Sequence, residues 1–309
     1  MMETHRPVVS VVIAIVSDTT GPADTRHLVS CLQAFADQLE DPPVELIVPH
    51  LVDVEGIEAV KKRFPHVLFL PVTDLNQATM GSREHHDVLR ARGLSAARGQ
   101  FLVLVEDHAK PCENFCASVV AAHRENGAVI GGAIENAVDR PLNWAVYFCD
   151  FGKYQNPVPK GDSPFASDAN VSYKRSALHS VRQTWEDSFR EVVVNEALRS
   201  RGEHLVLDSD IIMYQNRGAL TLLAAIQERF IWGRSYASTR NETMSTSSRM
   251  IYALGAALLP LVLTARIAST AWKRRRLFGP FLRSFHLVAI LQMSWSLGEG
   301  LGYLTGVRR

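Results

Sequence analysis

The run FLVLVEDHAKP, residues 101–111, passes from five consecutive apolar residues directly into Glu106, Asp107 and His108. Two carboxylates and an imidazole at the end of a buried strand make a donor set for a hard or borderline divalent cation. Imidazole tilts that choice from Mg toward Mn. The preceding segment RARGLSAARG, residues 90–99, is rich in small residues, which let a helix lie close to a sheet. It also offers Arg92 to a phosphate. His108, Cys112, Cys116 and His123 raise a zinc reading. Spacings of about four residues set such ligands along one helix face, and a straight helix does not wrap a tetrahedral ion. The cysteines therefore read as buried core residues, and the pair His85-His86 as solvated loop.

The elements that must carry these residues follow from the apolar pattern. Strands are expected at Val8–Val16, Val44–Val48, Val67–Leu70 and Phe101–Val105, and helices at His27–Gln38, Val54–Phe64 and Glu84–Arg98. Continuous apolar strands alternating with helices predict a mostly parallel sheet covered on both faces. Ligands of such sheets sit beyond the carboxyl ends of the strands, where the Glu106 triplet falls. Further on, a helix at Glu113–Asn126, strands at Val129–Ile134 and Asn170–Tyr173, and a helix at Phe189–Arg201 are expected. Two short strands, Leu205–Leu207 and Ile211–Tyr214, and a helix at Leu220–Arg240 follow. Residues 150–169 and 241–249 read as a loop and a polar connector.

With 309 residues, 47% of them hydrophobic and 21% charged, the chain is neither disordered nor a disulfide scaffold. Residues 250–309 hold eight Lys/Arg against the single acid Glu299, while the rest holds 25 bases against 31 acids. An acidic body argues against nucleic acid as a partner. A basic, apolar tail fits an anionic membrane surface. Its two uncharged stretches, Met250–Ala265 and Ser284–Gly298, are shorter than the roughly 20 residues of a spanning helix. Helices lying in the interface, or a re-entrant hairpin, suit those lengths. The four cysteines and an N-terminus without the pattern of a secretory leader lead us to expect a reduced, cytosolic body. The expected division is a catalytic domain over 1–240 and membrane-associated helices over 241–309.

Taken in order, RPVVSVVIAIVSDT, VELIV, RARGLSAARGQFLVLVEDHAKP and SDANVSYKRSAL resemble the consecutive motifs of family 2 glycosyltransferases. RFIWGRSYASTR, followed by apolar helices, is similar to the membrane-associated members. The resemblance covers roughly residues 7–240 and implies the α/β GT-A fold, that of nucleotide-diphospho-sugar transferases. It implies that Glu106, Asp107 and His108 stand at the family's Asp-x-Asp metal motif, with Mn or Mg as cofactor. It places Asp18 and His50 at the first two strand exits, Arg92 before the metal motif, and Asn170 and Ser172 in the donor pocket. It aligns Glu191 with the catalytic base, leaving Glu186 and Asp187 as rivals. Arg229, Trp232 and Arg234 would close the site or meet lipid phosphates.

The expected activity is inverting transfer of a sugar from a nucleotide-diphosphate donor to a lipid-linked or surface-glycan acceptor, at the cytoplasmic face of the cell membrane. The altered acid–acid–His motif also supports a non-catalytic sugar-nucleotide-binding or scaffold protein. A nucleotidyltransferase would want a Gly-rich loop after the first strand, and AIVSDTTGP has one glycine.

Overall fold

In a computed structural model the described residues are 6–22, 25–75, 82–125, 127–218, 220–241 and 244–305. The chain divides into two compact units, one of residues 1–135 and 153–216, the other of 136–152 and 217–309. In chain order the elements are β1 Val9–Ala14, α1 Thr25–Ala36, β2 Val44–Leu51, α2 Ile57–Arg63, β3 Leu68–Val72 and α3 Arg83–Ala96. Then come β4 Phe101–Glu106, β5 Ala109–Pro111, α4 Phe115–Glu125, β6 Val129–Asn136 and α5 Pro141–Asp150. Next are β7 Gly161–Asp162, β8 Asn170–Lys174, α6 Arg175–Ser180, α7 Glu191–Ser200 and β9 Leu205–Gln215. Four helices close the chain: α8 Leu222–Asn241, α9 Thr246–Ala256, α10 Leu259–Lys273 and α11 Arg275–Thr305.

The first unit is built on a sheet of order β3-β2-β1-β4-β8-β6-β9-β5, with β7 paired to β9. The strands β3, β2, β1 and β4 run parallel, and β8 turns against β4. Strand β6 is antiparallel to β8, and β5 to β9. The expected parallel arrangement holds for these four strands, while β8 runs against both of its neighbours, β4 and β6, and β5 and β7 pair antiparallel with β9. Helices cover both faces. Val9, Val11 and Ile13 of β1 pack with Leu28 and Phe35 of α1, Val60 of α2 and Phe115 of α4. Val12, Leu102 and Leu104 face the other way, toward Leu94 of α3, Leu178 of α6 and Leu198 of α7. This two-sided burial is why β1 and β4 are apolar at successive positions rather than alternating. Each such Val or Leu stabilises the fold by about 1.5–3 kcal/mol. The small residues of α3 act as expected: a Cβ at Gly93 would collide with the side chain of Val12.

Three expectations are refined. The two strands at Leu205–Leu207 and Ile211–Tyr214 are one, β9. Residues 150–169 contain the short β7, and α5 arises where no helix is expected, its Pro141 in the first turn. Most of the 241–249 connector is helix: Ser245 caps α9 by accepting a hydrogen bond from the Ser248 backbone. Residues 242–243 lie outside the described residues.

In the second unit α11 packs against α5, α8, α9 and α10. The first apolar stretch is broken after Ala256, and α9 and α10 meet at a bend of 61°. Among the described residues no single helix is long and apolar enough to cross a membrane, and this bent pair passes that test only jointly. Ile251, Leu254, Leu258, Leu261, Val262 and Trp272 of α9, α10 and the turn between them are exposed.

Candidate functional site

The site forms where β1 and β4 end side by side, Ala14 standing opposite Glu106 in parallel register. The Asp107 backbone N–H donates to the Ala14 carbonyl at 2.9 Å. Beyond this pair the chain peels away and its polar groups must find partners. Asp107 answers for the β1 exit: its carboxylate accepts from the Val16 backbone N–H at 3.1 Å and from the Ser17 hydroxyl at 2.5 Å. Glu106 accepts from the Gln215 amide at the end of β9, at 3.2 Å.

His108 lies between the two acids. Its Nε2 is 3.2 Å from Glu106 and its Nδ1 is 3.3 Å from Asp107. Burial alone would lower the imidazole pKa, but the hydrogen bonds to Asp107 and Glu106 outweigh it and carry it to about 9. Burial likewise pushes both carboxyls up, and His108 more than offsets it, holding both below the usual range. The donor set is therefore split. Glu106 and His108 place a carboxylate oxygen and Nε2 on one side, a pair that would suit a borderline divalent cation once the ring gives up its Nε2 proton. Asp107 faces the opposite ring nitrogen and is engaged with Val16 and Ser17. The expectation of three ligands around one ion is corrected accordingly, because one imidazole ligates through one nitrogen at a time.

A second group of charges adjoins Glu106. Arg90, in α3, is buried, with one guanidinium nitrogen 3.1 Å from Asp87 and another 3.1 Å from Asp168. The latter nitrogen is 4.0 Å from Glu106. Arg83 approaches Asp168 at 3.4 Å. Asp168 precedes β8, and its backbone N–H donates to the Glu191 carboxylate at 2.7 Å. Burial pushes the Glu191 carboxyl up, Asp168 adds to it, and the result is about 8. Asp168 goes the other way: burial would raise it, but Arg90 and Arg83 hold it below the usual carboxylate range. A pair of acids driven apart in this way is a frequent arrangement for acid–base work. Glu191 opens α7, and the Phe189 backbone just before it donates to the Asp87 carbonyl at 2.9 Å, tying that helix start to α3.

The rivals of Glu191 are elsewhere. Glu186 is paired with Arg182 at 3.0 Å on the surface, and Asp187 is exposed. Arg92 is also outside the cluster: two residues on from Arg90, it emerges on another face of α3 and pairs with exposed Asp74 at 2.5 Å. The carboxamide of Asn170 donates to the Ala133 and Ile211 carbonyls at 2.8 and 3.1 Å, tying strands together. Ser172 meets the His123 ring at 2.9 Å. Both are committed to the interior of the sheet rather than to a pocket. His50, next to last in β2, is buried, its Nδ1 2.5 Å from the Leu51 carbonyl. His123 stacks on Phe101, which removes it from any zinc set with Cys112 and Cys116. His85 and His86 are corrected most. They are buried in the first turn of α3, beside Asp18 at the β1 exit.

Sequence reasoning missed Asp87, Arg90 and Asp168. Arg90 stands in the same small-residue segment as Arg92, and Asp168 in the SDAN run, so the motifs were visible but the helix phase and the turn were not.

No protein-family model matches the chain, and no curated protein matches it. Solved structures do. A mannosyltransferase of Pyrobaculum calidifontis, in complex with GDP-Man and Mn2+, superposes with a TM-score of 0.56 at 13% identity, covering 98% of this chain and 88% of that one. S. aureus TarS 1–349 in complex with UDP-GlcNAc has a TM-score of 0.48 at 13% identity, covering 94% and 91%, too loose a likeness to carry an argument. The chain has a glycosyltransferase fold.

Proposed function

We infer that the protein is an inverting glycosyltransferase of the family 2 kind, moving a sugar from a nucleotide-diphosphate donor to a lipid-linked or glycan acceptor near a membrane. The observation that carries the reading is the half-buried Glu191 carboxyl, linked through Asp168 and Arg90 to Glu106 at the end of β4. In this reading Glu191 takes the proton of the acceptor hydroxyl. That oxygen forms its bond to the anomeric carbon as the bond to the donor diphosphate breaks, and the nucleoside diphosphate leaves with the electron pair. One base and in-line departure give inversion, as in the two-carboxylate logic of inverting glycosidases. Asp168 and Arg90 fix the base. Glu106 and His108 would hold a divalent cation, Mn or Mg, whose charge offsets that of the diphosphate. Asp18, at the first strand exit, would lie on the nucleotide side, whereas His50 is buried with its ring against the Leu51 carbonyl. The exposed apolar residues of α9 and α10, with the basic run Lys273–Arg276, support a membrane-proximal acceptor at the cytoplasmic face.

A second reading, donor binding without turnover, is favoured by one observation: Asp107 is spent on Val16 and Ser17. Release of nucleoside diphosphate by the purified chain, with Mn, a donor panel and membrane extract, separates the two. Donor-dependent release supports the enzyme. Donor binding with no release under any combination supports the binding protein.

A further inference from the structure

We propose that Asp18, His85 and His86 form a second metal site, for a borderline divalent transition ion such as zinc, separate from the Glu106–His108 pair. The ligand atoms of the three residues lie within 4.8 Å of one another. His86 Nε2 is 2.7 Å from one Asp18 oxygen, and His85 Nδ1 is 3.5 Å from the other. Both imidazoles are fully buried, while the Asp18 side chain keeps 13% exposure, so the carboxylate marks the open side. Two nitrogens and one carboxylate select zinc, cobalt, nickel, iron or manganese over magnesium and calcium.

Both arms of the site are held before any ion arrives. Asp107 accepts from Val16 and Ser17, fixing the backbone that leads into Asp18. The Thr19 hydroxyl donates to the Val16 carbonyl at 3.3 Å and tightens the same turn. On the other side Ser82 caps α3, accepting from the His85 backbone N–H at 3.3 Å. Adjacent histidines on a helix ordinarily diverge by about 100°. Here the first turn of the helix abuts the β1 exit loop, and one carboxylate lies within reach of both rings. Three protein ligands with one side open is the arrangement of a zinc site that retains an exchangeable position. An ion there would join the β1 exit to α3, whose later residue Arg90 belongs to the charge cluster.

The test uses the full chain, stripped with chelator and titrated with Co(II), read by its visible absorption and by thermal melting. The wild type is expected to bind Co(II) with nitrogen-ligand bands and to melt at a higher temperature when loaded. Asp18→Asn, close in shape and on a half-open loop, and His86→Asn should each weaken that binding by more than about 100-fold, beyond the cost of losing an outer-shell contact. His108→Asn should leave these bands in place. Wild-type protein without the bands, variants that keep them, or bands lost only with His108→Asn would each overturn the proposal.

Discussion

The backbone N–H of Asp168 donates to the Glu191 carboxylate at 2.7 Å while the side chain of the same aspartate is held by Arg90 at 3.1 Å. One residue thus holds Glu191 by its main chain and couples it to the guanidinium by its side chain. Burial and the neighbouring acid place Glu191 at about 8. A base must be deprotonated, so kcat/KM in the free enzyme should rise with pH through about 8. Glu191→Gln should abolish turnover at every pH while donor binding persists. Undiminished nucleoside diphosphate release by Glu191→Gln would end the assignment of the base.

Arg90 and Arg92 stand two residues apart and should behave oppositely. Arg90→Met strands the buried Asp87 carboxylate and leaves Asp168 with Arg83 alone, and breaking such a buried pair costs about 3–5 kcal/mol. Arg92→Ala removes one exposed pair with Asp74, worth about 1 kcal/mol or less. Urea melts of the two variants give the comparison directly.

Asp107 should act on folding before it acts on chemistry. Asp107→Ala leaves the Val16 N–H and the Ser17 hydroxyl unanswered and removes one acid from His108. Each buried group left without its partner costs about 1–3 kcal/mol, so a large drop in denaturation midpoint is expected. Glu106→Gln should weaken donor-dependent Mn binding with a smaller loss of stability, since Gln215 remains as a partner. Equal effects of the two substitutions on Mn binding would contradict the split donor set.

The parallel half of the sheet and the placing of Glu106, Asp107 and His108 at the end of β4 were readable because two-sided burial leaves unbroken apolar runs. That Glu191 stands at the start of a helix was readable as well. The partners around it were not. Arg90 and Arg92 are equally plausible in the string, and only the rotation of α3 against Val12 decides which one is buried. Asn170 and Ser172 looked like pocket residues because nothing local reveals that β8 is a central strand whose polar groups tie it to its neighbours. Asp18, His85 and His86 are separated by a stretch of more than sixty residues, so their meeting depends on β1 and α3 lying side by side.

The helices of the second unit offer a packing prediction. A Cβ at Gly298 would run into the Phe230 carbonyl, and one at Gly233 into the Trp295 carbonyl. Either glycine changed to alanine should force α8 and α11 apart and cost about 1–3 kcal/mol, read as a lower melting temperature.

The apolar residues of α9 and α10 set the membrane prediction. Leu254→Asp with Leu261→Asp should release the chain from anionic vesicles in a flotation assay, since both side chains are exposed and apolar. Retention of the double variant on vesicles would show that these helices are not the anchor.

Strand β8 runs opposite to β4, with Val105 beside Asn170. Residues that lead into β8 therefore arrive at the same rim where residues leaving β4 depart. That reversal lets Asp168, upstream of its strand, stand with Glu106, at the downstream end of another. A change of length within the span from 153 to 167 would therefore fall on this rim, while the ion pair of Arg90 with Asp87 and the backbone bond from Phe189 to Asp87 lie outside that span.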